Sequence, residues 1–241
     1  MRQIKRVKEH INNERGSGML IIMVGMLMAA IFIALLFFDF SNVFIHKRVT
    51  QTGADAAALA AAKSSREYME DELQKETQKE LEALGARWEA FLAAVLAAVK
   101  EDEEPPSEEE ILADFIRKEE ASHGGRSMPG DVVSWLRSPS VEVEANPAMR
   151  FFFGDAGVND LACEAVRDNF DNARKEAEKF AKENQNDKVK TLNFIGEDFR
   201  VYVVTERKAK FTTVSDESIS AITSEASVKI GEPKAFTIKC D

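Results

Sequence analysis

Twenty consecutive residues, Met19–Phe38 (MLIIMVGMLMAAIFIALLFF), contain no charged side chain. At 1.5 Å per residue, a helix of this length spans about 30 Å, the hydrocarbon thickness of a bilayer. That block excludes a simple soluble protein. The average composition hides it, because 44 % apolar and 31 % charged residues are ordinary globular values.

The block also divides the charge. Of 32 basic and 42 acidic residues, 5 and 2 lie in residues 1–18, so the remainder nets −13. Basic residues beside a span stay cytoplasmic, which places the N-terminus inside and the rest outside. A net of −13 argues against DNA or anionic lipid as a partner of the exported part. The apolar stretch exceeds the roughly 7–15 residues of a signal-peptide core, and no A-x-A site follows closely. It therefore reads as an uncleaved anchor; the alternative is a cleaved signal, with the Ala-rich stretch Ala54–Ala62 further on. Four segments are expected: a basic tail 1–18, a transmembrane helix 19–38, a helical stalk 39–64 and an exported domain 65–241.

The spacing of Phe40, Val43 and Phe44 continues the membrane helix outward, and residues 54–63 (ADAAALAAAK) are strong helix formers. One helix is expected from about Gly18 to Ser64, and a second from Glu67 to Lys100, with Gly85 as a break or kink. The second ends in an apolar face of Trp88, Phe91, Leu92, Val95, Leu96 and Val99, read as core. EDEEPP at 101–106 reads as a loop. Ser107 and Glu110 fit a capping box ahead of the face Ile111, Leu112, Phe115 and Ile116. A strand is expected at Ser140–Glu144. A helix over about 159–183 carries Cys163, Val166, Phe170, Ala173, Ala177 and Phe180. β-Branched and aromatic residues then predict strands at 188–194, 198–212, 217–230 and 234–240, joined by short turns. The exported part is thus α+β, helices first and an antiparallel sheet after.

Catalytic chemistry is sparse. His10, His46 and His123 are dispersed, and no H-E-x-x-H, C-x-x-C or phosphate-cradling loop occurs. Gly125–Gly130 (GRSMPG) lacks the Gly two residues after Ser that a nucleophile elbow needs. Glu101–Glu104 lacks the Gly turn and alternating oxygens of a calcium loop, so it reads as a solvated charge run. The sequence calls for no enzyme activity, cofactor or metal. Cys163 lies on an apolar helix face and Cys240 alternates with Phe236 and Ile238. They form either a disulfide, worth about 4 kcal/mol for a loop of this size, or two buried thiols. Gly25-x-x-x-Ala29 and Ala30-x-x-x-Ala34 allow close helix contact in the membrane. Ala54, Ala57, Ala58 and Ala61 extend a narrow surface above it.

Arg15-Gly16-Ser17, one apolar helix and Thr50-Gln-Thr-Gly-Ala-Asp-Ala-Ala-Ala-Leu-Ala-Ala-Ala62 come in an order that resembles the TadE/TadG group of the tight-adherence (Flp) pilus system. The resemblance is good over residues 15–63. It is faint over 197–230, where Phe199–Thr205 and Ile219–Ala226 carry it. It implies a single-pass, non-catalytic accessory component of a pilus assembly or secretion machine. Its partners would be the bilayer, other pilus-assembly or inner-membrane secretion proteins, and further copies of itself, with no nucleic acid. Pilin-like members are cut after a Gly, with Glu five residues beyond; here those positions are Ile21 and Met23, which fits an anchor that stays in the membrane. Two other readings stand beside it. One is a single-pass extracytoplasmic binding or sensor module, disfavoured by an 18-residue segment with no room for an output domain. The other is a tethered exported hydrolase.

Overall fold

The computed structural model describes residues 17–99, 104–208 and 221–241. Residues 1–16 of the basic tail, 101–103 of the acidic loop, and the expected strand portions 209–212 and 217–220 lie outside the described residues. Five helices precede three strands: α1 (Ser17–Ala97), α2 (Glu108–Ser122), α3 (Gly130–Arg137), α4 (Ala145–Asp168), α5 (Phe170–Glu183), β1 (Lys188–Ile195), β2 (Arg200–Arg207) and β3 (Ile222–Lys229). The class is α+β, with a sheet in the order β1-β2-β3 and both pairings antiparallel.

Helix α1 organises the molecule. It runs unbroken for 81 residues, about 120 Å at 1.5 Å per residue. The expected break near Ser64 and the kink at Gly85 do not occur. Gly85 serves a contact instead, because a Cβ there would sit 3.1 Å from the Trp135 ring. Strong helix formers on both sides absorb its cost of roughly 1 kcal/mol. Ala61, Ser65, Met69, Leu73, Thr77 and Leu81 are buried at four-residue intervals. Each step advances about 40° beyond a full turn, so the buried stripe winds roughly 200° around the helix.

That winding lets one helix serve two cores. In the first, Ala57, Ala58, Met69 and Leu73 meet Val158, Ala162 and Val166 of α4, the alanines of α5, and Leu192, Val201 and Val203 of the sheet. In the second, Leu81, Leu84 and Trp88 meet Ile111, Leu112 and Phe115 of α2, Val132 and Leu136 of α3, and Phe151 and Phe152 of α4. The face predicted at the end of α1 is partly in this core; Leu96 is exposed. The capping box forms as expected: the Ser107 hydroxyl accepts from the Glu110 N–H, and the Ser107 N–H donates to Glu110 Oε2 at 3.0 Å.

The region between 131 and 157 departs from expectation. Ser140–Glu144 is not a strand; Val143 packs against the second core without a neighbouring strand to pair with. Helix α4 begins at Ala145, well before 159, and turns sharply at Gly154 (φ 65°). Arg126 stabilises the turn, donating from Nε to the Phe151 carbonyl (2.8 Å) and from Nη2 to the Phe152 carbonyl (3.2 Å). These are carbonyls that a helix end leaves without partners. A further interruption at Asn169 separates α4 from α5, where one helix was expected. Phe180, expected on the apolar face of α5, is 36 % exposed.

The fourth expected strand, 234–240, is absent. Its alternation is real, since Phe236, Ile238 and Cys240 are buried. However, the segment is held by single contacts rather than a ladder. The Cys240 N–H donates to the Gly196 carbonyl, and the Lys239 N–H donates to Asn159 Oδ1 at 2.7 Å. Gly196 must be glycine, because a Cβ would overlap the Cys240 carbonyl. Cys163 and Cys240 are joined in a disulfide across 77 residues of sequence.

Replacing both cysteines by Ser should lower unfolding stability by about 4 kcal/mol on the loop-entropy model. The midpoint of chemical unfolding of the full chain in detergent measures this. An unchanged midpoint would show that the bridge does not constrain the unfolded chain.

Candidate functional site

Among the described residues, the histidines do not come together. His123 stacks on Phe151 (4.7 Å between centroids), and His46 lies on α1. His10 falls outside the described residues. Among the described residues, no three His, Cys, Asp or Glu side chains gather as metal ligands. A groove of about 850 Å³ is lined in part by Arg126, Arg150, Asp155 and Phe236. Its guanidiniums already have structural tasks: Arg126 at the α4 turn, and Arg150 on Asp155 (2.9 Å) and the Ala235 carbonyl (2.6 Å). The candidate site is therefore α1 itself, which divides into an unpartnered apolar part and a seat for the C-terminal part.

In the apolar part, every residue from 18 to 38 is exposed. The stretch is long and apolar enough to cross a membrane. Gly25, Ala29, Ala30 and Ala34 lie within it and are exposed. A Cβ built on Gly25 meets no atom within 4 Å.

The seat begins about three turns above Phe38. The Asn186 carboxamide, 3 % exposed, donates to the Thr50 carbonyl (3.0 Å) and to Thr205 Oγ1 (2.7 Å). Gly53 makes room for it, since a Cβ there would overlap that carboxamide. At the other end of α5, Asn169 Nδ2 donates to the Ser64 carbonyl at 3.0 Å. The two carbonyls are fourteen residues apart on α1, and α5 has 14 residues. The two asparagines thus clamp α5 antiparallel to α1 in one register.

Between the clamps both helices present alanine. Ala54, Ala57, Ala58 and Ala61 of α1, and Ala173, Ala177 and Ala181 of α5, are all fully buried. Such short side chains allow the axes to approach toward the 8 Å end of the usual range. The narrow alanine surface above the span is therefore used within the chain, whereas the small residues inside the span are not. Neither clamp was foreseen from sequence. Both asparagines sit at helix ends, where Asn is ordinary, so nothing distinguished them.

Residues 16–64 match the Tad family model, described as Flp pilus-assembly TadE/G-like. The chain carries a TadE/G-like segment. That segment covers about a fifth of the chain and ends at Ser64, the residue whose carbonyl accepts from Asn169. It thus holds the whole apolar span together with the α1 side of both clamps. No curated protein and no solved structure matches the chain.

Two substitutions test the seat of the TadE/G-like segment. Gly53→Ala should displace Asn186 and break its bonds to the Thr50 carbonyl and Thr205 Oγ1, costing about 1–3 kcal/mol. In a Gly53→Ala/Asn186→Ala double variant the penalty should be no larger than for Asn186→Ala alone. Additive losses would mean that the two residues do not interact. Ala57→Leu should overpack the alanine seam at a cost of about 1–3 kcal/mol. Leu59→Ala, at a position 61 % exposed, should change stability by under about 0.5 kcal/mol. Equal effects at the two positions would contradict the seam.

Proposed function

We propose that this protein is a single-pass, non-catalytic accessory component of a Flp-type pilus assembly or secretion machine. Its N-terminus is in the cytoplasm and its C-terminal part is outside. The observation that carries the reading is the TadE/G-like match over residues 16–64, which coincides with the unpartnered span and the clamped seat. The charge division across the span supports the orientation. The work of such a component is done by packing surfaces rather than by bond chemistry. Gly25, Ala29, Ala30 and Ala34 are the residues that a neighbouring membrane helix, from a partner or a second copy, would meet.

Deleting the protein should abolish piliation in its host. The full chain, extracted in detergent, should co-purify with inner-membrane pilus-assembly proteins. Gly25→Leu with Ala29→Leu should weaken that association while leaving the stability of the C-terminal part unchanged. Normal piliation after deletion, with no co-purifying assembly protein, would refute the proposal. Protease added from outside should digest residues beyond 65; complete protection would reverse the orientation.

A further inference from the structure

Charge is sorted along α1. Among the described residues, Lys47, Arg48, Lys188, Lys190, Arg207 and Lys208 come to one level, at the end of the sheet nearest the span. Contacts fix that level. Lys47 Nζ donates to the Thr223 carbonyl and Gln51 Nε2 to the Glu225 carbonyl (3.0 Å), both at the start of β3. The ladder sets Lys188 opposite Glu206 and Arg207 opposite Ile222. Of the acids near this level, Asp187 accepts from the Lys208 N–H, Glu206 pairs with Lys188 at 2.8 Å and Glu225 accepts from the Tyr202 hydroxyl, while Glu183 at the end of α5 is exposed. Arg48, Lys190 and Lys208 are exposed. The far end of α1 is the reverse: residues 104–144 hold ten acidic and four basic side chains. The net of −13 beyond the span is therefore concentrated away from it.

Depth is set by exposed apolar side chains, which do not stop at Phe38. Phe40, Phe44 and Ile45 are 62, 62 and 57 % exposed. Residues 19–45 rise about 40 Å, close to the full bilayer thickness with headgroups. The one acid at that depth, Asp39, is 6 % exposed, although Phe38 and Phe40 beside it are more than half exposed. The chain thus hides its acid and presents Lys47, Arg48 and the basic end of the sheet where phosphate groups lie.

We propose that this basic collar binds anionic phospholipid headgroups in the leaflet facing the C-terminal part, drawing the end of the sheet onto the bilayer. The proposal rests on the membrane-anchored reading above. It also reverses, for this one end, the expectation from net charge that anionic lipid is not a partner. Basic side chains at a membrane surface act within a Debye length, about 10 Å at 0.1 M salt.

The test is amide hydrogen exchange on the full chain in nanodiscs of phosphatidylcholine alone or with phosphatidylglycerol. Residues 19–38 should be protected in both, which reports the anchor separately; exposure there would refute anchoring itself. Residues 205–208 and 222–225 should exchange about fivefold more slowly with phosphatidylglycerol, the effect of one engaged basic residue. The difference should vanish in 1 M salt, where the Debye length falls to ~3 Å, and in Arg48→Glu/Lys208→Glu. That variant should unfold at the same midpoint as the parent in phosphatidylcholine. Equal exchange in the two lipids with residues 19–38 protected would overturn the collar alone, and that comparison needs no variant. A slowing that persists in high salt would also overturn it.

Discussion

An alanine seam, closed at each end by an asparagine, determines where everything beyond the span can stand. Alanine buries little area per residue, so the seam is not the main source of apolar stabilisation. Its contribution is closeness and register. With Asn186 on the Thr50 carbonyl and Asn169 on the Ser64 carbonyl, α5 cannot slide along α1 without leaving two buried amides unpaired, each costing about 1–3 kcal/mol. Larger apolar residues then build on that register: the sheet enters through Thr205, shared by Asn186 and β2, and α4 through its junction with α5 at Asn169.

Because α1 is one helix, it carries this register from the apolar stretch to the far end of the molecule. A strict 3.6-residue stripe would have given a single contact face and a single core. The four-residue recurrence from Ala61 to Leu81 moves the face around the helix, so sheet and α5 occupy one side and α2 and α3 another. The disulfide then ties the C-terminal segment to α4, closing the first core at the end that has no fourth strand.

Much of this could be read from sequence where a periodicity had a single physical meaning. The span, the α+β order, the three strand centres and the Ser107 capping box are of that kind. The errors share a cause. Alternation in Val141–Val143 and in Phe236–Cys240 showed correctly which side chains face inward, but facing inward does not supply a strand to pair with. Gly85 signalled a break by propensity, yet long-range contact with Trp135 decided its use. The alanines were visible as a surface; whether that surface met this chain or another depended on α5, more than a hundred residues away. Asn169 and Asn186 gave no local signal, because a clamp is defined only by the carbonyl that receives it.

An unbroken helix also fixes the rotational relation between the apolar stretch and the seat. Ala54 lies 29 residues beyond Gly25, and at about 100° per residue that is roughly 20° past a whole number of turns. Ala57 lies 28 residues beyond Ala29, within about 80° of the same side. The Gly25/Ala29 face and the face that receives α5 therefore point in similar directions, whereas Ala30 and Ala34, about 140° and 180° around from Gly25, point away from it. No Pro occurs in α1 to disturb that phase, and the glycines at 53 and 85 leave it helical. A second helix packed on Gly25 would then stand beneath the α5 side of the molecule. The side of α1 that carries the folded part and the Gly25/Ala29 side are fixed relative to each other by the helix, so turning the apolar stretch about its axis would turn the whole C-terminal part with it.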